Sequence, residues 1–286
     1  MTRLLLWLSG RRTFAALLAF VYFAGVVLPH RLVSGVFDRM AEVLSFPVYN
    51  DVLLAISVSL MVILSLFLLR AVRNGEDRKV QVVCWLFTAG LVVASYHLLI
   101  VFSVEAIHFI QYALLTLPVF ALTLSFGRTV FWVTLLGAVD EAYQYFVLYA
   151  DNREVYFDFN DIVLNLIGAG IGVMMIFTLS RARTASSRQE LKSPDKNRAP
   201  LIVTASLLLA GIVLVAGGAV TFYPDASASE TAITLSRKPA PSQFWEKPKK
   251  GKSFHILHPA EGILLISLLI PCYSLLDRVT QPARAD

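Results

Sequence analysis

The chain has 286 residues, of which 57% are hydrophobic and only 16% charged, with a formal net charge of +5. An ordinary soluble domain is about a quarter charged, so a mean hydropathy of +0.67 excludes that class, and long charge-free runs predict an all-α, polytopic transmembrane helical bundle. The positive balance does not point to nucleic acid, because the basic residues sit in loops beside apolar runs, where orientation signals and anionic headgroups place them.

Arg3, Arg11 and Arg12 precede the apolar run 13–28, which ends at Pro29 and reads as an uncleaved signal anchor. Residues 32–50 place Val33, Val36, Phe37, Met40, Val43 and Leu44 at helical spacing, which predicts an amphipathic helix on the membrane surface. Further spans are predicted over 52–69, 80–101, 106–126, 129–149, 161–179, 201–220 and 260–276, so about eight in all. The last is short and contains Pro271. Two N-terminal spans with the interfacial segment occupy 1–79, a four-helix core 80–180, a basic Ser-rich cytoplasmic linker 181–200, and a C-terminal helix pair 201–286. Its long loop, 221–259, is rich in Pro, Ser and Lys and reads either as a small cap or as a mobile loop that dips Phe244 and Trp245 into the headgroups. Cys84 and Cys272 both fall within spans and read as packed apolar thiols, not as a disulfide or thiolate site.

Orientation follows from Lys and Arg near span ends. With the N-terminus inside, sixteen of the 25 basic residues are cytoplasmic, three (Arg31, Arg39, Arg153) lie in short outer segments and six in the loop 221–259. This predicts N-in, C-in.

Polar residues inside the spans then acquire depths. Asp at the centre of a membrane helix costs roughly 2.5–3.5 kcal/mol, yet Asp140, Glu141, Gln144, Asp161 and Asn165 fall within one short stretch. At 1.5 Å of rise per residue, His108, Gln111 and Tyr112 lie roughly 5–10 Å below the outer surface, Glu141 and Gln144 about 8–12 Å and Asn165 about 6 Å, with His97 at a similar depth. Glu105, His108 and Tyr112 share a helix face by their spacing, as do Glu141 and Gln144. Asp161, Asn165, Gly168 and Gly172 form one stripe whose lower half is a small-xxx-small packing surface. An outward-opening polar pocket above a tightly packed floor is expected.

These residues resemble the VanZ-like family of bacterial membrane proteins: Glu105-x-x-His108, Glu141-x-x-Gln144, a loop with Arg153 and Asp158, then Asp161-x-x-x-Asn165-x-x-Gly168. The run FDFNDIVLNLIGAGIG from Phe157 is the most specific part. Arg153 stands farther from Asp158 than the family pattern places it, and the basic outer loop is no part of that pattern. The resemblance implies an integral protein of the cell envelope in the bacterial cytoplasmic (inner) membrane, in a family associated with resistance to the glycopeptide teicoplanin. It supplies no mechanism.

Two readings of the polar layer stay open. Glu141, held by Gln144, and His108 can serve as catalytic acid–base groups whose proton affinity is set by burial, or they can be interhelical hydrogen bonds worth about 0.6 kcal/mol each. Glu105, Gln111, Tyr112, Asp140, Gln144, Arg153, Asp158, Asp161 and Asn165 are the candidate binding residues; Arg153 either clamps a phosphate or carboxylate or neutralises a nearby acid. Glu105, His108, Glu141 and His97 are zinc-ligand types, as are His255, His258 and Glu261, but no segment has a convincing ligand spacing, so no metal or other cofactor is assigned. The expected partners are membrane lipids and an envelope glycolipid or lipid-linked precursor. The leading function is a pocket for the headgroup or glycan of such a lipid. The alternatives are an enzyme cleaving or transferring a lipid-linked phosphate or sugar by acid–base or metal-assisted chemistry and, more weakly, a transporter, since the sequence does not show the broken helices and clear inverted repeat often seen in transporters.

Overall fold

The structure, a computed structural model, describes residues 2–73, 78–152, 155–181, 199–224, 232–239, 241–248 and 251–279. About 78% of it is helical. The helices are α1 (Thr2–Ser9), α2 (Arg12–Tyr22, continued by a π turn Phe23–Val27), α3 (His30–Leu44), α4 (Phe46–Arg73), α5 (Arg78–Leu98), α6 (Ile107–Thr123), α7 (Phe126–Tyr143, continued by a π turn Gln144–Leu148), α8 (Phe159–Arg181), α9 (Ala199–Ala216) and α10 (Pro259–Val279). Five segments among the described residues are long and apolar enough to cross a membrane: Phe46–Arg73, Arg78–Leu98, Ser103–Thr123, Phe159–Ser180 and Pro259–Val279. The bent pair Arg12–Val27 and His30–Leu44, at 42° to each other, would make a sixth if it forms one span. The chain is therefore a multi-pass membrane protein built as a helical bundle.

Element boundaries follow local chemistry. Ser45, with φ of 63°, breaks the chain between α3 and α4, and α4 then runs 28 residues from a first turn containing Pro47, where a missing N–H costs no helical bond. Helix α6 ends on Leu124 in the left-handed conformation, and Ser125 starts α7 by accepting a hydrogen bond from Arg128 N–H, so two residues turn the chain through the corner. Helix α10 runs uninterrupted through Pro271 for 21 residues, longer than the sequence predicts.

Helix α8 is the axis of the bundle. It is apolar all round its lower length, which suits a helix enclosed by others, and α4, α5, α6, α7 and α10 all pack on it. Between helices in lipid, close van der Waals approach replaces the hydrophobic drive. A Cβ at Gly168 would stand 2.9 Å from the His108 carbonyl oxygen, and one at Gly172 would stand 2.7 Å from that of Ala113. The two glycines therefore seat α8 directly on the α6 backbone. At the opposite end from the polar layer, Asp277 of α10 accepts hydrogen bonds from the backbone N–H of Phe126 (2.7 Å) and Gly127 (2.9 Å) and from the Ser125 hydroxyl (2.9 Å). A carboxylate at a helix N-terminus offsets both the free N–H groups and the dipole. This clasp locks α10 into the core.

The described part of the loop 221–259 is folded onto the bundle. Val220–Thr221 and Ile233–Thr234 pair as short parallel strands. Phe157 N–H donates to Leu235 O (2.8 Å) and His255 N–H to Leu98 O (2.6 Å). Asn160 ties both sides, donating to Leu99 O and His255 O while accepting from Leu257 N–H. Of the two sequence readings, the cap is the one observed.

Candidate functional site

The bundle end beneath this cap gathers the polar residues. Helix α7 turns Asp140 and Glu141 inward, with 0% and 3% of their surfaces exposed. The two Asp140 oxygens have separate partners: His30 Nε2 at 2.6 Å from Oδ1, and the Tyr112 hydroxyl, which donates to Oδ2 at 3.1 Å. His30 opens α3 directly after Pro29, and its side chain remains 18% exposed. Glu141 accepts from Gln144 Nε2 (2.8 Å) and from the backbone N–H of Asp158.

A second array spans α6 and α8. His108 Nδ1 lies 2.9 Å from Asn165 Oδ1, and Nε2 lies 3.4 Å from Asp161 Oδ2. An amide oxygen only accepts, so Nδ1 carries the proton and Nε2 is the nitrogen turned toward the carboxylate. His108 stacks on Tyr112, ring centroids 6.4 Å apart, which joins the two arrays. The Asn165 Nδ2 is buried without a hydrogen-bond partner among the described residues, and it faces α7 at Gly137.

Above these, Asp158 Oδ1 accepts from Asn160 N–H (2.8 Å) and Asp161 N–H (3.4 Å), capping α8. Burial, and then the neighbouring charge of Asp161, raise the Asp158 carboxyl to about 7. Glu105 caps its own loop, accepting from Val101 N–H (2.8 Å) and Phe102 N–H (3.3 Å). Glu105, Asp140, Glu141, Asp158 and Asp161 are near enough for their charges to act on one another. The result is a half-enclosed acidic cluster with two imidazoles inside it.

Most of the expected site residues thus converge. Gln111 does not join them: it is buried and donates to Val26 O in the π turn that continues α2. Arg153 lies outside the described residues. His97 needs correction, because its side chain is exposed and contacts Tyr96 instead of the polar layer. Its depth along α5 follows from the helix rise, but its rotation is set by packing. His30 was missed because it lies outside every apolar run and Pro29 beside it reads as the end of a helix, whereas α3 begins there. Among the described residues, no three His, Cys, Asp or Glu side chains form a metal-binding group.

Chemically, the arrangement presents carboxylate acceptors and two imidazoles with fixed hydrogen bonds. Such groups bind hydroxyls or ammonium, or relay a proton. They oppose a bare anion. No protein-family model, curated protein or solved structure matches the chain.

Proposed function

We propose that this is a VanZ-like protein of the bacterial cytoplasmic membrane whose outward-facing acidic cluster binds the headgroup or glycan of an envelope lipid, and that it contributes to teicoplanin-type glycopeptide resistance. The carrying observation is the convergence of Asp140, Glu141, His108, Asp161 and Asn165 from three helices at one end of the bundle. Four acidic groups gathered around Asp161 (Glu105, Asp140, Glu141 and Asp158) favour the hydroxyl- or amine-bearing part of a lipid over its phosphate.

We propose eight spans with both termini inside. Helices α2, α7 and α9 add three crossings to the five that qualify by length and composition; α7 holds Arg128, Asp140 and Glu141 within its 18 residues. Arg70, Arg73, Arg78, Lys79, Arg128 and Arg278 cluster at the end opposite the acidic layer, which supports a cytoplasmic assignment for that end. The test is teicoplanin susceptibility of cells expressing the wild type or Glu141→Gln at matched membrane levels. Lost protection in the variant supports the proposal, and equal susceptibility with and without the protein refutes the resistance role.

A second reading, a membrane-embedded enzyme acting by acid–base chemistry on a lipid-linked phosphate or sugar, is favoured by one contact. His30 at 2.6 Å from the buried Asp140 is a base with an orienting carboxylate. Product formation from a lipid-linked sugar phosphate, abolished by His30→Gln, would establish it.

A further inference from the structure

The cap forms a partly open cavity of about 90 Å³ beside the acidic cluster, which it meets through the Tyr156 hydroxyl bonded to Asp158, and the proposed function does not use it. Four aromatic residues line it: Tyr156 and Phe157 from the loop before α8, and Phe222 and Tyr223 from the segment after β1. Lys238 and Glu246 supply one charge of each sign, and Pro259 forms its base at the start of α10. Small-molecule sites have this character: mostly apolar walls and a few converging polar groups.

Backbone pairing fixes the walls. Tyr156 and Ser236 form one antiparallel bridge, and Glu246 and Phe254 another, with Glu246 N–H donating to Phe254 O at 2.8 Å and Phe254 N–H to Glu246 O at 3.1 Å. Phe222 and Tyr223 are backed by His258, whose ring centroid lies 5.0 and 5.6 Å from theirs. A cavity held this way needs little ordering when a ligand enters, and that raises affinity.

Lining chemistry selects the ligand. An anion such as phosphate needs net positive charge, which Glu246 cancels. A quaternary ammonium favours aromatic faces without a competing cation, and Lys238 is such a cation. A neutral polyhydroxylated ring satisfies both halves: its C–H face meets the negative face of an aromatic ring, and its hydroxyls donate to a carboxylate and accept from an ammonium. At roughly 10–15 Å³ for each water-sized site, 90 Å³ holds one small ring and not an extended chain.

We propose that this cap cavity is a carbohydrate site that takes a single uncharged sugar ring, stacked on the aromatic wall and hydrogen-bonded by Lys238 and Glu246. It stands whether or not the acidic cluster binds a lipid.

The test uses the full chain in lipid nanodiscs free of glycoside detergent. Saturation-transfer NMR is recorded with methyl β-glucopyranoside and with methyl N-acetyl-β-glucosaminide, and choline and inorganic phosphate serve as competitors. Saturable transfer to the ring protons of at least one sugar is expected, with neither competitor displacing it. Tyr223→Ala should weaken it by about tenfold, the upper range for one aromatic contact. Glu246→Gln keeps the cap's shape and should weaken binding several-fold, which guards against a cap that fails to fold in Tyr223→Ala. Absence of saturable transfer from both sugars, displacement by choline, or unchanged binding in Glu246→Gln would each overturn the proposal.

Discussion

His30 Nε2 and Asp140 Oδ1 lie 2.6 Å apart across 110 positions of sequence, and this contact joins the start of α3 to the acidic layer of α7. Asp140 is fully buried and also receives the Tyr112 hydroxyl. Leaving a buried hydrogen-bonding partner unsatisfied costs about 1–3 kcal/mol. With 18% of the His30 side chain exposed, the lower end applies. Asp140→Ala should therefore lower the melting temperature clearly, and Asp140→Asn, which can still accept from Tyr112, should lower it less. Equal melting of wild type and Asp140→Ala would mean the contact is not formed in the membrane.

The packing floor gives a second expectation. The atoms nearest a Cβ at Gly168 are α6 backbone, which cannot rotate away as a side chain would, and those nearest one at Gly172 are the Ala113 carbonyl oxygen and the Thr116 side chain. Gly168→Leu or Gly172→Leu should force the two helices apart, and overpacking costs about 1–3 kcal/mol. Lower yield and a lower melting temperature in nanodiscs are expected; wild-type stability in both would place that stripe against lipid.

Much of this was legible in the sequence, and the reason is solvent. In lipid, apolar runs must be helices and intramembrane polar residues must be paired, so α4 to α8 and the group His108, Glu141, Asp161 and Asn165 stand out from the sequence alone. What stayed hidden depends on tertiary neighbours. Asp277 reads as an ordinary charge at a span end, yet it caps α7. Gln111 and His97 had the right depth, but one faces α2 and the other is exposed. The loop 221–259 lacks periodicity because its order comes from side chains such as Asn160 and Arg237 that clamp it to the bundle.

Arg237 is the strongest of those clamps. Its guanidinium donates to the carbonyls of Tyr145 (2.9 Å), Tyr149 (2.6 Å) and Asn152 (3.0 Å) and lies 4.3 Å over the Tyr145 ring. A planar, pre-organised fork of donors reaches the three carbonyls while stacking on the ring, a geometry that a lysine ammonium does not reproduce. Arg237→Lys should accelerate hydrogen exchange and protease cleavage in the cap while leaving exchange in α8 unchanged. Unaltered exchange in the cap would show that the clasp contributes little.

Asp158 supplies a pH dependence. Its carboxyl is raised from 3.8 to about 7, first by burial and then by the charge of Asp161. The folded protein thus holds a proton that the unfolded chain releases near 3.8, so this group stabilises the fold at low pH and the benefit is lost as pH rises to about 7. Asn caps helices about as well as Asp and does not titrate. Asp158→Asn should therefore lose less melting temperature between pH 4 and 7 than the wild type; superimposable profiles would contradict this assignment.

Topology is tested by labelling in a Cys-less background. Single cysteines at Asn152 and Ser242 should react with an impermeant maleimide added outside, and one at Arg78 should not. The reversed pattern would put the acidic cluster on the cytoplasmic side.

The central claim is that the buried acidic layer holds an envelope lipid and is more than helix glue. Native mass spectrometry of wild type, Glu141→Gln and His108→Gln, extracted identically, tests it most directly. Gln preserves nearly the shape of Glu141, and at position 108 its amide can still donate to Asn165 Oδ1 although the ring contact with Tyr112 is lost, so both variants should insert and Glu141→Gln should melt close to wild type. The wild type should retain a lipid with a hydroxyl- or amine-bearing headgroup, and both variants should lose it. Retention of the same lipid by both variants, or no retained lipid in the wild type, would contradict it.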